Sequence, residues 1–163
     1  MNDLIKIKLI VSEVDGVITE GLIPYDELQN VPYKNFYMKD FEAINILKKH
    51  FIFSFLSADN AISYNLFRKK NIPFYWEPKD KRAGLIKIME HYNVSAEEVL
   101  FIGSTYSDLP CINMIPVSVC PIDAVTEVKE RALIELKSIS GMGVISEVCD
   151  LLKEEILRRQ ACS

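Results

Sequence analysis

The chain has 163 residues, of which 49% are hydrophobic and 26% charged, with a formal net charge of −4 and a sequence pI near 5.3. That length suits one domain with a real core, expected to span residues 1–163, and the apolar fraction excludes a disordered chain. No basic stripe is present, which argues against nucleic acid as a partner, whereas mild acidity still allows an anionic substrate held by a few lysines and backbone N–H groups.

The first apolar run, Ile5 to Val11, is interrupted by Lys6 and Lys8, so neither a secretory leader nor a membrane span is expected. Cys111, Cys120, Cys149 and Cys162 form no C-x-x-C pair and have no nearby histidine. They read as reduced structural thiols of a cytoplasmic protein rather than as a zinc site.

Residues 6–14 (KIKLIVSEV) predict a strand buried on both faces, ended by the turn dipeptide Asp15-Gly16. Residues 21–37 hold two short aromatic-containing runs around a polar tip and predict a β-hairpin, with Pro24 and Pro32 confined to its edges. Strand–helix alternation follows. Helices are expected over 41–49, 61–70, 82–92, 109–114 and 125–131, and strands over 51–56, 73–76, 99–102 and 117–119. Ser95 to Glu98 reads S-x-x-E, a capping box. A closing amphipathic helix is expected over 144–157. Alternation with buried-type strands predicts a doubly wound α/β parallel sheet, Rossmann-like, with no large second lobe.

Ligands in such sheets bind beyond the carboxyl ends of the strands. Three ends carry suggestive residues: Glu13-Val14-Asp15-Gly16 after the first strand, Ser57-Ala58 after the second, and Gly103-Ser104-Thr105-Tyr106-Ser107-Asp108 after the fourth. Lys81 stands at a helix start. Residues two apart on a strand share a face, so Glu13 and Asp15 are expected in one site. Two neighbouring carboxylates suit attack on phosphorus by one and protonation of the leaving oxygen by the other, with Mg²⁺ bridging to the phosphate. A hydroxyl and a lysine suit the phosphoryl oxygens.

This ordered series resembles the haloacid dehalogenase superfamily, and within it the small phosphatases acting on 3-deoxy-manno-octulosonate 8-phosphate and related nonulosonate 9-phosphates. The resemblance is carried by Val14-Asp15-Gly16-Val17-Ile18-Thr19-Glu20-Gly21, Lys39-Asp40, Leu56-Ser57, Lys79-Asp80-Lys81 and Asp108-Leu109-Pro110. Val128-Lys129-Glu130-Arg131-Ala132 and Glu147-Val148-Cys149-Asp150 continue it. It implies a Mg²⁺-dependent phosphatase of a sugar-acid phosphate and a homotetramer whose hairpins meet at the centre. It also implies roles: position 13 as nucleophile and metal ligand, Asp15 as general acid/base at the metal site, Ser57 and Ala58 at the phosphate. Lys81 would pair with the phosphate and the nucleophile, position 104 would be a direct Mg²⁺ ligand, and Asp108 would hold metal-bound water.

Two of those positions depart from the family pattern. The nucleophile is Glu13 rather than Asp, which moves the carboxylate by roughly 1.5 Å, where about 1 Å already costs on the order of 10²-fold in rate. The metal-binding Asp is Ser104, so an ion normally held by one or two carboxylates loses one. Catalytic impairment is therefore expected, with a binding, assembly or regulatory role in acidic-sugar biosynthesis; an active phosphatase using Glu13 is the alternative. Glu13 beside Lys81 reads as an ion pair, the ammonium replacing the Mg²⁺ charge, as a surviving ligand, or as neither. Smaller expectations are that Asp108 N-caps the helix at Leu109 and that Phe41, where the family has glycine, crowds the entrance. Tyr25, Tyr33, Phe36 and Tyr37 are expected to pack against another subunit, and Phe74, Tyr75 and Trp76 to lie in the core.

Overall fold

The computed structural model describes residues 2–60 and 62–161. After a short 3₁₀ turn (Asn2–Lys6) come β1 (Leu9–Ser12), α1 (Met38–Leu47), β2 (Ile52–Ser57), α2 (Ser63–Lys69), β3 (Phe74–Trp76) and α3 (Lys81–Tyr92). Then follow β4 (Val99–Ile102), α4 (Leu109–Ile112), β5 (Val117–Cys120), α5 (Thr126–Arg131), β6 (Ile134–Glu135), α6 (Val144–Leu151) and α7 (Lys153–Ala161). The strands form one parallel sheet in the order β3-β2-β1-β4-β5-β6.

The apolar runs read as strands because both faces are covered. Ile10, Phe53, Phe55, Leu100 and Ile102 pack on one side with helices α1 and α6. Leu9, Val11, Val99 and Phe101 pack on the other with Leu85 and Ile88 of α3. Successive residues of β1 and β4 thus serve opposite cores, as the strand period requires. The chain leaves β1 toward β2 on one side and reaches β4 on the other, so β1 and β4 flank the switch point where ligands collect in this architecture.

Several expectations are corrected. The first strand is shorter than 6–14, its start taken by the 3₁₀ turn. Residues 21–37 form no strand ladder. Only the tip is closed, Asp26 N–H donating to Asn30 O and Gln29 N–H to Asp26 O. Two prolines remove donors, and an isolated two-stranded ribbon is marginal in water. The closing helix is two helices with a break at Leu152, and β6 went unforeseen because two residues carry no periodicity. Phe41 turns inward, packing with Phe36 and Phe67 at ring centroid distances of 5.7 and 6.4 Å, so it does not crowd the entrance. Phe36 likewise fills this chain's own core. Trp76 is 55% exposed on edge strand β3, its indole N–H donating to Ala58 O at 3.0 Å.

The Ser95–Glu98 capping box forms as expected, with Ser95 N–H donating to Glu98 Oε2 at 2.9 Å. Asp40 is fully buried on α1 and accepts from Gly143 N–H (3.2 Å), Ser146 N–H (2.9 Å) and Ser146 Oγ (3.1 Å), tying α1 to the start of α6. Burial pushes its carboxyl above the usual value of 3.8, and these hydrogen bonds offset part of that.

Candidate active site

The loops after β1, β2 and β4 meet the start of α3 at the carboxyl end of the sheet. Glu13 stands one residue past β1, held by its backbone N–H on Ile102 O of β4 at 2.9 Å. Its Oε1 accepts from Val14 N–H at 2.7 Å and its Oε2 meets the Lys81 ammonium. Lys81, the first residue of α3, reaches in because Asp80 caps that helix, accepting from Ala83 N–H at 3.0 Å. The lysine side chain is only 5% exposed, so its ammonium is held inside the site rather than in solvent.

Lys81 Nζ also donates to Asp108 Oδ1 at 2.6 Å and to Ser107 Oγ at 2.9 Å. Asp108 Oδ2 in turn accepts from Ser104 N–H (2.8 Å), Thr105 N–H (2.9 Å) and Thr105 Oγ1 (3.1 Å). The expected N-cap bond to α4 is therefore absent. Asp108 bends back instead because it is the closing residue of a capping box that begins at Thr105. The result is a buried triad, one ammonium on two carboxylates, with every oxygen of Asp108 saturated.

Asp15 does not join it. A turn at Gly16, whose φ of +86° a side chain would oppose, carries the chain around so that Asp15 bridges to Thr19. Its Oδ1 accepts from Thr19 Oγ1 at 2.9 Å and its Oδ2 from Lys34 Nζ at 2.7 Å. The same ammonium donates to Asp59 Oδ2 at 2.7 Å. The two carboxylates expected on one group are thus divided between two lysines. Ser57 closes β2, buried, and its Oγ accepts from the backbone N–H of Asp59 at 3.3 Å. Ala58 is exposed next to it and lines, with Lys79, Lys81 and Ser107, a shallow cavity of about 200 Å³.

Lys34 and Asp59 were not foreseen, and Thr19 and Ser107 stand within the quoted motifs without a role of their own. Lys34 had a faint signal, as the only cation between Lys8 and Lys39. Asp59 lies in an irregular segment without periodicity.

Ser104 is buried against Gly16, where an added Cβ would collide with its hydroxyl, and its Oγ has no hydrogen-bond partner. Among the described residues no group of three or more His, Cys, Asp or Glu is placed to hold a metal. Each carboxylate at the strand ends already faces an ammonium, and position 104 offers a neutral hydroxyl. This donor set does not fit a divalent cation, which prefers several free oxygen ligands in near-octahedral array. Elsewhere burial pushes the Cys111 thiol up to about 12 and Cys120 up to about 11, so both are inert at neutral pH. Among the described residues no helix is long and apolar enough to cross a membrane.

Comparison with known proteins agrees with this architecture. The chain is 28% identical over 149 residues to the 3-deoxy-D-manno-octulosonate 8-phosphate phosphatase of Haemophilus influenzae, covering 90% of this chain and 82% of that one. Against the phosphatase of the same name from Escherichia coli K12 the identity is 25% over 157 residues, covering 90% and 79%. The cobalt-bound structure of the H. influenzae phosphatase superposes with a TM-score of 0.88 at 27% identity, covering 94% of this chain and 91% of that one. The Moraxella catarrhalis phosphatase, solved with magnesium, phosphate and KDO, shares the fold with a TM-score of 0.87 at 19% identity, covering 94% and 90%. The family described as haloacid dehalogenase-like hydrolase matches residues 18–148. The chain belongs to the haloacid dehalogenase-like hydrolases.

Proposed function

We propose that this chain is a member of its family in which the phosphate site is kept for binding, assembly or regulation in acidic-sugar metabolism, with phosphatase turnover strongly impaired. The carrying observation is that the Lys81 ammonium lies on both Glu13 and Asp108 while position 104 presents only a hydroxyl. In the family's reaction a divalent ion would supply charge to the phosphoryl oxygens. Here Glu13 has both carboxylate oxygens engaged, and the positive charge beside it is fixed in the chain. An anion the size of phosphate would meet Lys81, Ser107 and Ala58 at the neighbouring cavity.

The alternative, an active phosphatase with Glu13 as nucleophile, draws support from the convergence of Glu13, Lys81 and Asp108 at one strand end. We place the protein in the cytoplasm as a single domain and a homotetramer, the exposed Leu22, Tyr25 and Leu28 of the 21–37 loop facing other subunits.

The test is a phosphatase assay with Mg²⁺ on a panel of sugar-acid phosphates, using the native chain and the pair Glu13→Asp with Ser104→Asp. Native turnover below about 1 s⁻¹ is expected, under the ordinary range of about 1–10³ s⁻¹. The double variant should gain at least about 10²-fold. Native turnover inside the ordinary range sinks the proposal.

A further inference from the structure

Lys34 is a buried charge beside the site, to which the proposed function gives no role of its own. Its side chain is 1% exposed, yet it comes from an irregular loop rather than from the sheet or a helix. Its ammonium donates to Asp15 Oδ2 and Asp59 Oδ2 at 2.7 Å each, so those two oxygens lie within two hydrogen-bond lengths of one another. Two carboxylates that close repel one another, and a cation seated between them offsets that repulsion. A cation tethered by the chain loses less freedom on binding than one taken from solution, so it holds the position against a dissolved ion.

Residues 21–37 have no ladder hydrogen bonds; besides the closed tip and the end contacts at Gly21 and Tyr37, Phe36 in the core and Lys34 at the strand ends fasten them. Asp15 follows β1 and Asp59 follows β2, neighbours in the sheet. One ammonium therefore joins the loop to both. A cavity of about 300 Å³ lined by Thr19, Ile23, Tyr33 and Lys34 adjoins the same contact.

We infer that Lys34 is a positioning residue and the resident cation of the Asp15–Asp59 pair, which fastens the 21–37 loop across the ends of β1 and β2 and keeps divalent cations off those carboxylates. This rests on the reading of the site as one whose positive charges are lysines.

The experiment is Mn²⁺ titration of the full chain, followed by the electron paramagnetic resonance of the free ion. Lys34→Met should gain Mn²⁺ affinity at least about tenfold over the native protein. Lys34→Arg should behave as native, and Asp59→Asn added to Lys34→Met should abolish the gain. A folded Lys34→Met with native affinity, or a gain that survives Asp59→Asn, overturns the inference. Should Lys34→Met not fold, Asp59→Asn alone decides. In Asp59→Asn, chymotrypsin cleavage within residues 25–33 should accelerate several-fold, and native cleavage rates overturn the inference. Native turnover with Mg²⁺ would remove the impaired-enzyme reading, but the differences between these variants would still decide the role of Lys34.

Discussion

Two lysines each bridge two carboxylates at the same end of the sheet, and their surroundings differ sharply. Lys81 starts a capped helix, and its partners Glu13 and Asp108 are almost wholly sealed from water. Lys34 hangs from an irregular loop, and its partners Asp15 and Asp59 are 17% and 37% exposed. The same charge arrangement is therefore a fixed structural element in one place and a releasable fastening in the other. A sealed ion pair with one partner removed leaves a charge with no solvent to receive it, whereas a wetter pair is replaced by hydration.

The largest effect should come from Lys81→Met, which strands Glu13 and Asp108 in the dry site and costs about 3–5 kcal/mol of stability, read from urea unfolding. Adding Glu13→Gln should recover part of that loss. A cost near 1 kcal/mol for Lys81→Met would mean that the triad is as hydrated as the loop contact and erase the contrast.

Next comes Asp40, a buried carboxylate whose partners are N–H and O–H groups rather than an ammonium. Asp40→Ala should cost about 2 kcal/mol by unsatisfying the start of α6. Its raised pKa also sets a pH dependence. The contribution of the native carboxyl is fully present below 3.8, the unfolded value, and is lost as pH rises through the folded value. The stability of the native protein relative to Asp40→Asn should therefore fall as pH climbs above 3.8, measured as the difference in urea midpoints.

Lys34→Met should cost about 1 kcal/mol, less than Lys81→Met, since its carboxylates regain water when the loop lifts. An equal cost for the two lysines would show both bridges to be sealed. The smallest effect belongs to Glu127→Gln on α5, which severs an exposed pair with Arg131 and should change stability by less than about 0.5 kcal/mol.

Much of this was legible along the chain. Continuous apolar runs report strands covered on both faces, and β4 has the bounds expected of its run, while α3 starts one residue before the expected 82. The site's location at the ends of β1, β2 and β4 followed from the same alternation. Glu13, Lys81 and Asp108 were named from their places in an ordered series of motifs, and the structure brings all three together. Asp15 was named too, but its partner was not, because Lys34 lies 19 residues away on a segment with neither helical nor strand period.

The limit has a physical origin. Periodicity, turn chemistry and capping are short-range, so the residues alone determined which elements form, which faces are apolar and which strand ends carry charge. Which carboxylate meets which ammonium depends on strand order and on where an irregular loop returns. Those are settled by core packing among residues far apart in the chain. Only the folded arrangement could divide Glu13 and Asp15 between two lysines, turn Asp108 away from its helix, and draw Phe36 and Phe41 into the core of this chain.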